Sequence, residues 1–137
     1  MRLWIQEMQV SKGLVVKKRW LDLILSGEKT WEMRSENLGF RGPIALIEAR
    51  TRRIRGIADL VDVGPALSRQ QMMDAINFHR IPHNEIDSAI ARRWVRPWVL
   101  RNVRRIDPPI YSKHLPGGSW RNLDSSAAAE IRRRFAV

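Results

Sequence analysis

The stretch Ser26-Gly27-Glu28-Lys29-Thr30-Trp31-Glu32-Met33-Arg34 holds a change of period that decides how the first half of the chain is read. Just upstream, Trp20, Leu21, Ile24 and Leu25 recur at helical spacing, which predicts a short helix over 18–26. Gly27 supplies the left-handed residue that closes such a helix. From Thr30 onward the spacing becomes alternation. Trp31 and Met33 then share one face of a strand, and Thr30, Glu32 and Arg34 share the other. One face is apolar and the other carries a hydroxyl, a carboxylate and a guanidinium, with Lys29 at the turn beside them.

Working outward, Gly13 to Lys17 reads as a buried strand entering the fold, preceded by an arm or short edge strand over Met1 to Lys12. Ile44 to Ala49 and Gly56 to Val63 read as strands of a hairpin whose tip holds Arg50, Arg52, Arg53 and Arg55. Ser68 with Gln71 forms a capping-box pattern, and Leu67 with Met72 fits a hydrophobic staple, predicting a helix from Arg69 to Phe78. A second helix is expected over Glu85 to Arg93 with Asn84 as its cap. Trp94 to Ile106 is strand-like, with Pro97 suggesting an edge or a bulge, and Asp107-Pro108-Pro109 is expected to break it. A loop over Tyr111 to Gly118, a strand over Ser119 to Leu123 and a helix capped by Asp124 or Ser125 and running to Phe135 complete the reading. Short strands with helices set between them predict an α+β fold, a small mixed β-barrel of about five to six strands with flanking helices. One domain is expected over the 137 residues, its core spanning 13–123 and its last helix 125–135.

Composition bounds the chemistry. No run approaches the roughly 20 apolar residues of a membrane span, and the N-terminus lacks a secretory pattern, so a cytoplasmic protein without a membrane partner is expected. Without cysteine there is no disulfide, no thiolate nucleophile and no cysteine-bound zinc. The 25 Lys and Arg against 14 Asp and Glu give a net charge of +11, and most of these cations are arginine, which binds phosphate bidentately and stacks on bases. RNA is the expected partner and DNA an alternative; Arg-rich composition from codon usage is the bland reading.

The helix ending in Ser26-Gly27, followed by Lys29, Glu32 and Arg34, resembles the signature of the ASCH family in the PUA-like superfamily. His114, Gly118 and Trp120 are similar to a second, C-terminal family pattern. The resemblance implies a PUA-like barrel with a cleft beside the first helix that binds RNA or modified nucleosides. Some members resemble amidohydrolases acting on acetylated cytidine, and others ribonucleases. In the amidohydrolase branch a threonine nucleophile stands where this chain has Glu32, which argues against that mechanism here, and Thr30 is a weak substitute.

The candidate site follows from these residues. Lys29 and Arg34 could neutralise phosphate while Glu32 accepts from a base or moves a proton; the competing reading is a salt-bridged strand surface. Lys29, Thr30, Glu32, Arg34, the hairpin arginines Arg50, Arg52, Arg53 and Arg55, and His114 with Trp120 form the expected RNA-binding set, with Lys29 and Glu32 the proton-handling pair if the protein is an enzyme. Of the tryptophans, Trp31 and Trp94 are expected in the core and Trp120 at the cleft. Arg92, Arg93, Arg96, Arg101, Arg104 and Arg105 offer a second phosphate track, against the reading of a solvated basic face. Arg132 to Arg134 suit a helix end. His79 and His83 are spaced as zinc ligands, but Pro82 breaks the helix between them, so no metal site is expected. Glu36, Glu48, Asp59 and Asp62 form no two-metal motif. No cofactor is expected; a nuclease would use a divalent ion held mainly by RNA phosphates. The binding reading comes first, ribonuclease second and nucleoside amidohydrolase third.

Overall fold

A computed structural model describes residues 9–113 and 118–135. The chain runs β1 (Lys12–Val16), α1 (Lys18–Ser26), β2 (Trp31–Arg34), β3 (Gly42–Glu48), β4 (Arg53–Val63), α2 (Arg69–Asp74), α3 (Ile76–His79), a 3-10 turn (His83–Glu85), α4 (Ile86–Ala91), β5 (Arg96–Tyr111), β6 (Trp120–Asn122) and α5 (Ser125–Phe135). The six strands form one sheet in the order β2-β5-β4-β3-β1-β6. β1 lies parallel to β3, with Leu14 opposite Leu46, and antiparallel to β6, with Leu14 opposite Trp120. β2 is antiparallel to β5, pairing Glu32 with Trp98 and Met33 with Pro97. The sheet is mixed and the fold is α+β, as the alternation of short strands and helices predicted.

Helix α1 forms where its periodicity placed it. Leu21, Ile24 and Leu25 are buried, and Gly27 adopts φ +87° with its N–H donating to the Ile24 carbonyl at 3.1 Å. A Cβ there would meet nothing within 4 Å, so the backbone angle, not space, calls for glycine.

The chain divides into two compact units. One comprises the described parts of Met1–Leu21, Pro43–Ala58 and Arg104–Val137; the other comprises Asp22–Gly42 and Asp59–Val103. The first has a core of Val10, Ala45, Ile47, Ile54, Ile57, Ile106 and Ile110, closed by Ala127 and Ile131 of α5. Asp124 caps that helix by accepting from the Ala127 N–H at 3.0 Å. The second buries Ile24, Met33, Leu60, Met72, Ile86, Trp98 and Leu100.

Several sequence expectations are corrected. The capping box at Ser68 and Gln71 is present, but the predicted helix over 69–78 is two helices. The Met72 carbonyl accepts from the Ala75 N–H and from the His79 ring, which takes it out of the regular helical ladder. Asn84 lies within the 3-10 turn, and Glu85 precedes α4 without a side-chain cap. β5 is not an edge: β2 flanks it on one side and β4 on the other, and it continues through Asp107-Pro108-Pro109 with a cis Asp107–Pro108 peptide. Pro97 is tolerated near the start of the strand, where its carbonyl accepts from the Gly64 N–H at 2.9 Å. Trp31 and Trp94 are half-buried instead of core. Among the described residues the core tryptophan is Trp98, 1% exposed, whose indole N–H donates to the Glu36 carbonyl at 3.0 Å. Trp94 misses the core because β5 begins only at Arg96, so no pleat aims its ring inward.

Candidate nucleic-acid interface

Within the second unit, the residues of the opening stretch converge on a buried ionic chain. Lys29 is 2% exposed and Glu32 5%. The Lys29 ammonium donates to the His79 carbonyl at 2.5 Å and stands 3.6 Å from Glu32 Oε1. Arg34 reaches Glu32 Oε2 with Nε at 2.8 Å and Nη2 at 2.7 Å. The strand face expected to carry exposed polar groups is therefore covered at Glu32, because α3 packs against β2. Thr30 is half-buried on the same strand edge, its N–H donating to the Phe78 carbonyl and its own carbonyl accepting from Leu100 N–H. Trp31 stacks on Phe78, ring centroids 4.7 Å apart, and Phe78 stays 48% exposed.

His79, rejected as a zinc ligand, is the hinge of this chain and was missed as a partner of Lys29. Its Nδ1 accepts from the Ile81 N–H at 2.9 Å, so the ring proton sits on Nε2, which donates to the Met72 carbonyl at 2.7 Å. Burial pushes its pKa below 6.5; the Met72 hydrogen bond opposes this and the Lys29 charge adds to it. The folded protein then binds fewer protons here than the unfolded chain. The contribution is complete above about pH 6.5 and is lost as pH falls from there through the lowered folded value. Urea melts from pH 7.5 down to 5 should show wild type losing more stability than His79→Gln; parallel losses in the two proteins would refute this assignment.

In the first unit the hairpin arginines separate into two kinds. Arg53 and Arg55 lie on β4, not at the tip, and both bind the buried carboxylate of Glu48, at 2.7 and 3.0 Å. Glu48 itself is 4% exposed. Burial alone would raise its pKa, but the hydrogen bonds and charges of Arg53 and Arg55 outweigh burial and hold it below its ordinary value. Arg50 and Arg52 sit in the turn proper and are exposed. Two concavities open here. One, of about 370 Å³, is lined by Lys18, Arg53, Arg55, Arg105, Ile106, Asp107 and Pro109. The other, of about 360 Å³, is lined by Val15, Ile47, Glu48, Arg50, Arg52, Ser112 and Arg121. Seven cations face two carboxylates across the pair.

Among the remaining expected residues, Trp120 is half-buried on β6, and His114 lies outside the described residues. Arg92 packs over Trp94 at 5.1 Å. In α5, Arg133 and Arg134 both bind Glu130 and pull its pKa down to about 2. Arg105, alone of the second arginine tract, lines either of the two concavities. Among the described residues no cluster of three His, Asp or Glu could hold a metal, and no helix is long and apolar enough to cross a membrane.

A family model for the ASCH domain matches residues 14–110. The chain belongs to the ASCH family. Solved structures of ASCH from Zymomonas mobilis share the fold: one superposes with a TM-score of 0.72 at 16% identity, covering 88% of this chain and 92% of that one. A mutant form of the same protein superposes with a TM-score of 0.69 at 14% identity, covering 91% and 96%. No curated protein matches in sequence. The matched segment of this ASCH domain contains Gly27, Lys29, Glu32 and Arg34 and both arginines that bind Glu48; His114, Gly118 and Trp120 lie beyond it.

Proposed function

We propose that this ASCH domain binds RNA by its phosphates along the basic concavities of the first unit. The observation that carries the reading is the excess of cations lining the two concavities, Lys18, Arg53, Arg55 and Arg105 in one and Arg50, Arg52 and Arg121 in the other, over the two lining carboxylates, Asp107 and the Glu48 that Arg53 and Arg55 share. Guanidiniums at the wall of a concavity are already desolvated on one side, so phosphate pairing there is stronger than on an open face. The binding role calls on no cofactor. In the second unit, Lys29 and Glu32 hold Arg34, whose side chain is 19% exposed, as the member of that set presented to a nucleotide.

Hydrolysis is the second reading. It draws on the 3.6 Å approach of Lys29 to Glu32, with any divalent ion held by RNA phosphates. Binding is favoured because the ammonium is buried and committed to a backbone carbonyl, whereas a proton-transfer group must reach its substrate.

Affinity for a single-stranded RNA oligonucleotide, measured by fluorescence anisotropy, tests the proposal. With about four phosphates neutralised, a fourfold rise in monovalent salt lowers affinity by roughly fifty-fold, and Arg105→Glu lowers it further at every salt concentration. Affinity indifferent to salt, or equal in wild type and Arg105→Glu, would sink the reading.

A further inference from the structure

Arg50 and Arg52 both adopt left-handed backbone angles, φ 69° and 60°, within the turn between β3 and β4. Glycine and asparagine occupy that region at little cost; arginine does not. The conformation is imposed from outside the two residues. Thr51 donates its N–H and its hydroxyl to the Glu48 carbonyl, at 3.3 and 3.0 Å, and accepts from the Arg53 N–H at 3.0 Å. The Arg52 carbonyl accepts from both the N–H and the hydroxyl of Ser112, at 2.9 and 3.3 Å. The turn is thus tied down on both sides, while its two strained residues have exposed side chains that line the 360 Å³ concavity with Arg121. Among the described residues neither guanidinium has a carboxylate within ion-pair reach, in contrast to Arg53 and Arg55, which share Glu48. Both side chains are exposed, so core packing does not account for arginine at either position, and glycine would meet the same backbone angle at lower cost.

We infer that the Arg50–Arg52 turn is a built clamp for a single nucleotide phosphate, and that backbone strain is retained there to aim two unpaired guanidiniums into the concavity. The assignment rests on the RNA reading and sharpens it: of the four hairpin arginines, two are structural counterions and two contact the ligand. The concavity of about 360 Å³ has room for one nucleotide, whose phosphate, terminal or internal, meets the two guanidiniums.

The test pairs two double variants, Arg50→Gly with Arg52→Gly and Arg50→Ala with Arg52→Ala. Both remove the charge, but only glycine relieves the strain. Both are expected to lose about tenfold in RNA affinity and to lower the log–log salt slope by about 0.7, the value of one single-strand phosphate. The glycine pair is expected to melt above the alanine pair. Inorganic phosphate at constant ionic strength should raise the melting temperature of wild type more than that of either variant, which reads the clamp without RNA. An oligonucleotide with a 5′-phosphate that binds more tightly than its 5′-hydroxyl form identifies a terminal phosphate, and equal binding an internal one. Unchanged RNA affinity in both variants, or a phosphate shift as large in them as in wild type, overturns the clamp. Wild type that binds no RNA yet responds to phosphate overturns the RNA reading alone.

Discussion

Replacing Lys29 with methionine is expected to lower the stability of the domain by about 3 kcal/mol, despite the chemical likeness of the two aliphatic stems. The ammonium is almost fully enclosed and donates to the His79 carbonyl. Removing it leaves that carbonyl and Glu32 Oε1 buried without their cation. The loss stays below that of an isolated buried charge because Arg34 still binds Oε2. Urea denaturation checks the value. The double variant Lys29→Met with Glu32→Gln should recover part of the loss, since the carboxylate charge is then gone as well. A loss under about 1 kcal/mol for Lys29→Met would mean that water replaces the ammonium freely, and the buried ionic chain would not be structural.

Glu48→Ala is the second large effect, about 2–3 kcal/mol. It strands the two guanidiniums of Arg53 and Arg55 beside one another with their common carboxylate removed. Arg53 and Arg55 are partly exposed, 38% and 26%, so water offsets some of the loss. Arg53 has the less to fall back on, since its Nε is already buried without a partner among the described residues. The lowered pKa of Glu48 makes the same contribution acid-sensitive. It is complete above about pH 4.5 and is lost as pH falls through the folded value, so Glu48→Gln should show a flatter stability profile in that range. Thermal melts from pH 6 to 3 decide it: equal slopes for wild type and Glu48→Gln would remove the carboxylate from the account.

Local rules carried far into this fold. The period of Trp20, Leu21, Ile24 and Leu25, the glycine after Ser26, the Ser68–Gln71 box and the Asp124 cap each act over four residues or fewer, and each is found in the structure. In two places where the expectations failed, a group outside the local pattern had intervened. The helix over 69–78 broke because a histidine ring took a carbonyl from its ladder. Pro97, which suits an edge by itself, lies inside the sheet because β2 adds on one side of β5.

The amino-acid sequence by itself determined that this is a basic, cysteine-free α+β chain with the ASCH signature at Gly27, Lys29, Glu32 and Arg34, because charge, composition and short-range period are properties of neighbours along the chain. Only the tertiary structure decided what those residues face. Lys29 meets a carbonyl 50 residues away. Glu48, one scattered carboxylate among several, is the residue that divides four similar arginines into two counterions and two open cations. Burial and pairing depend on which segments meet in space, and no local period encodes that.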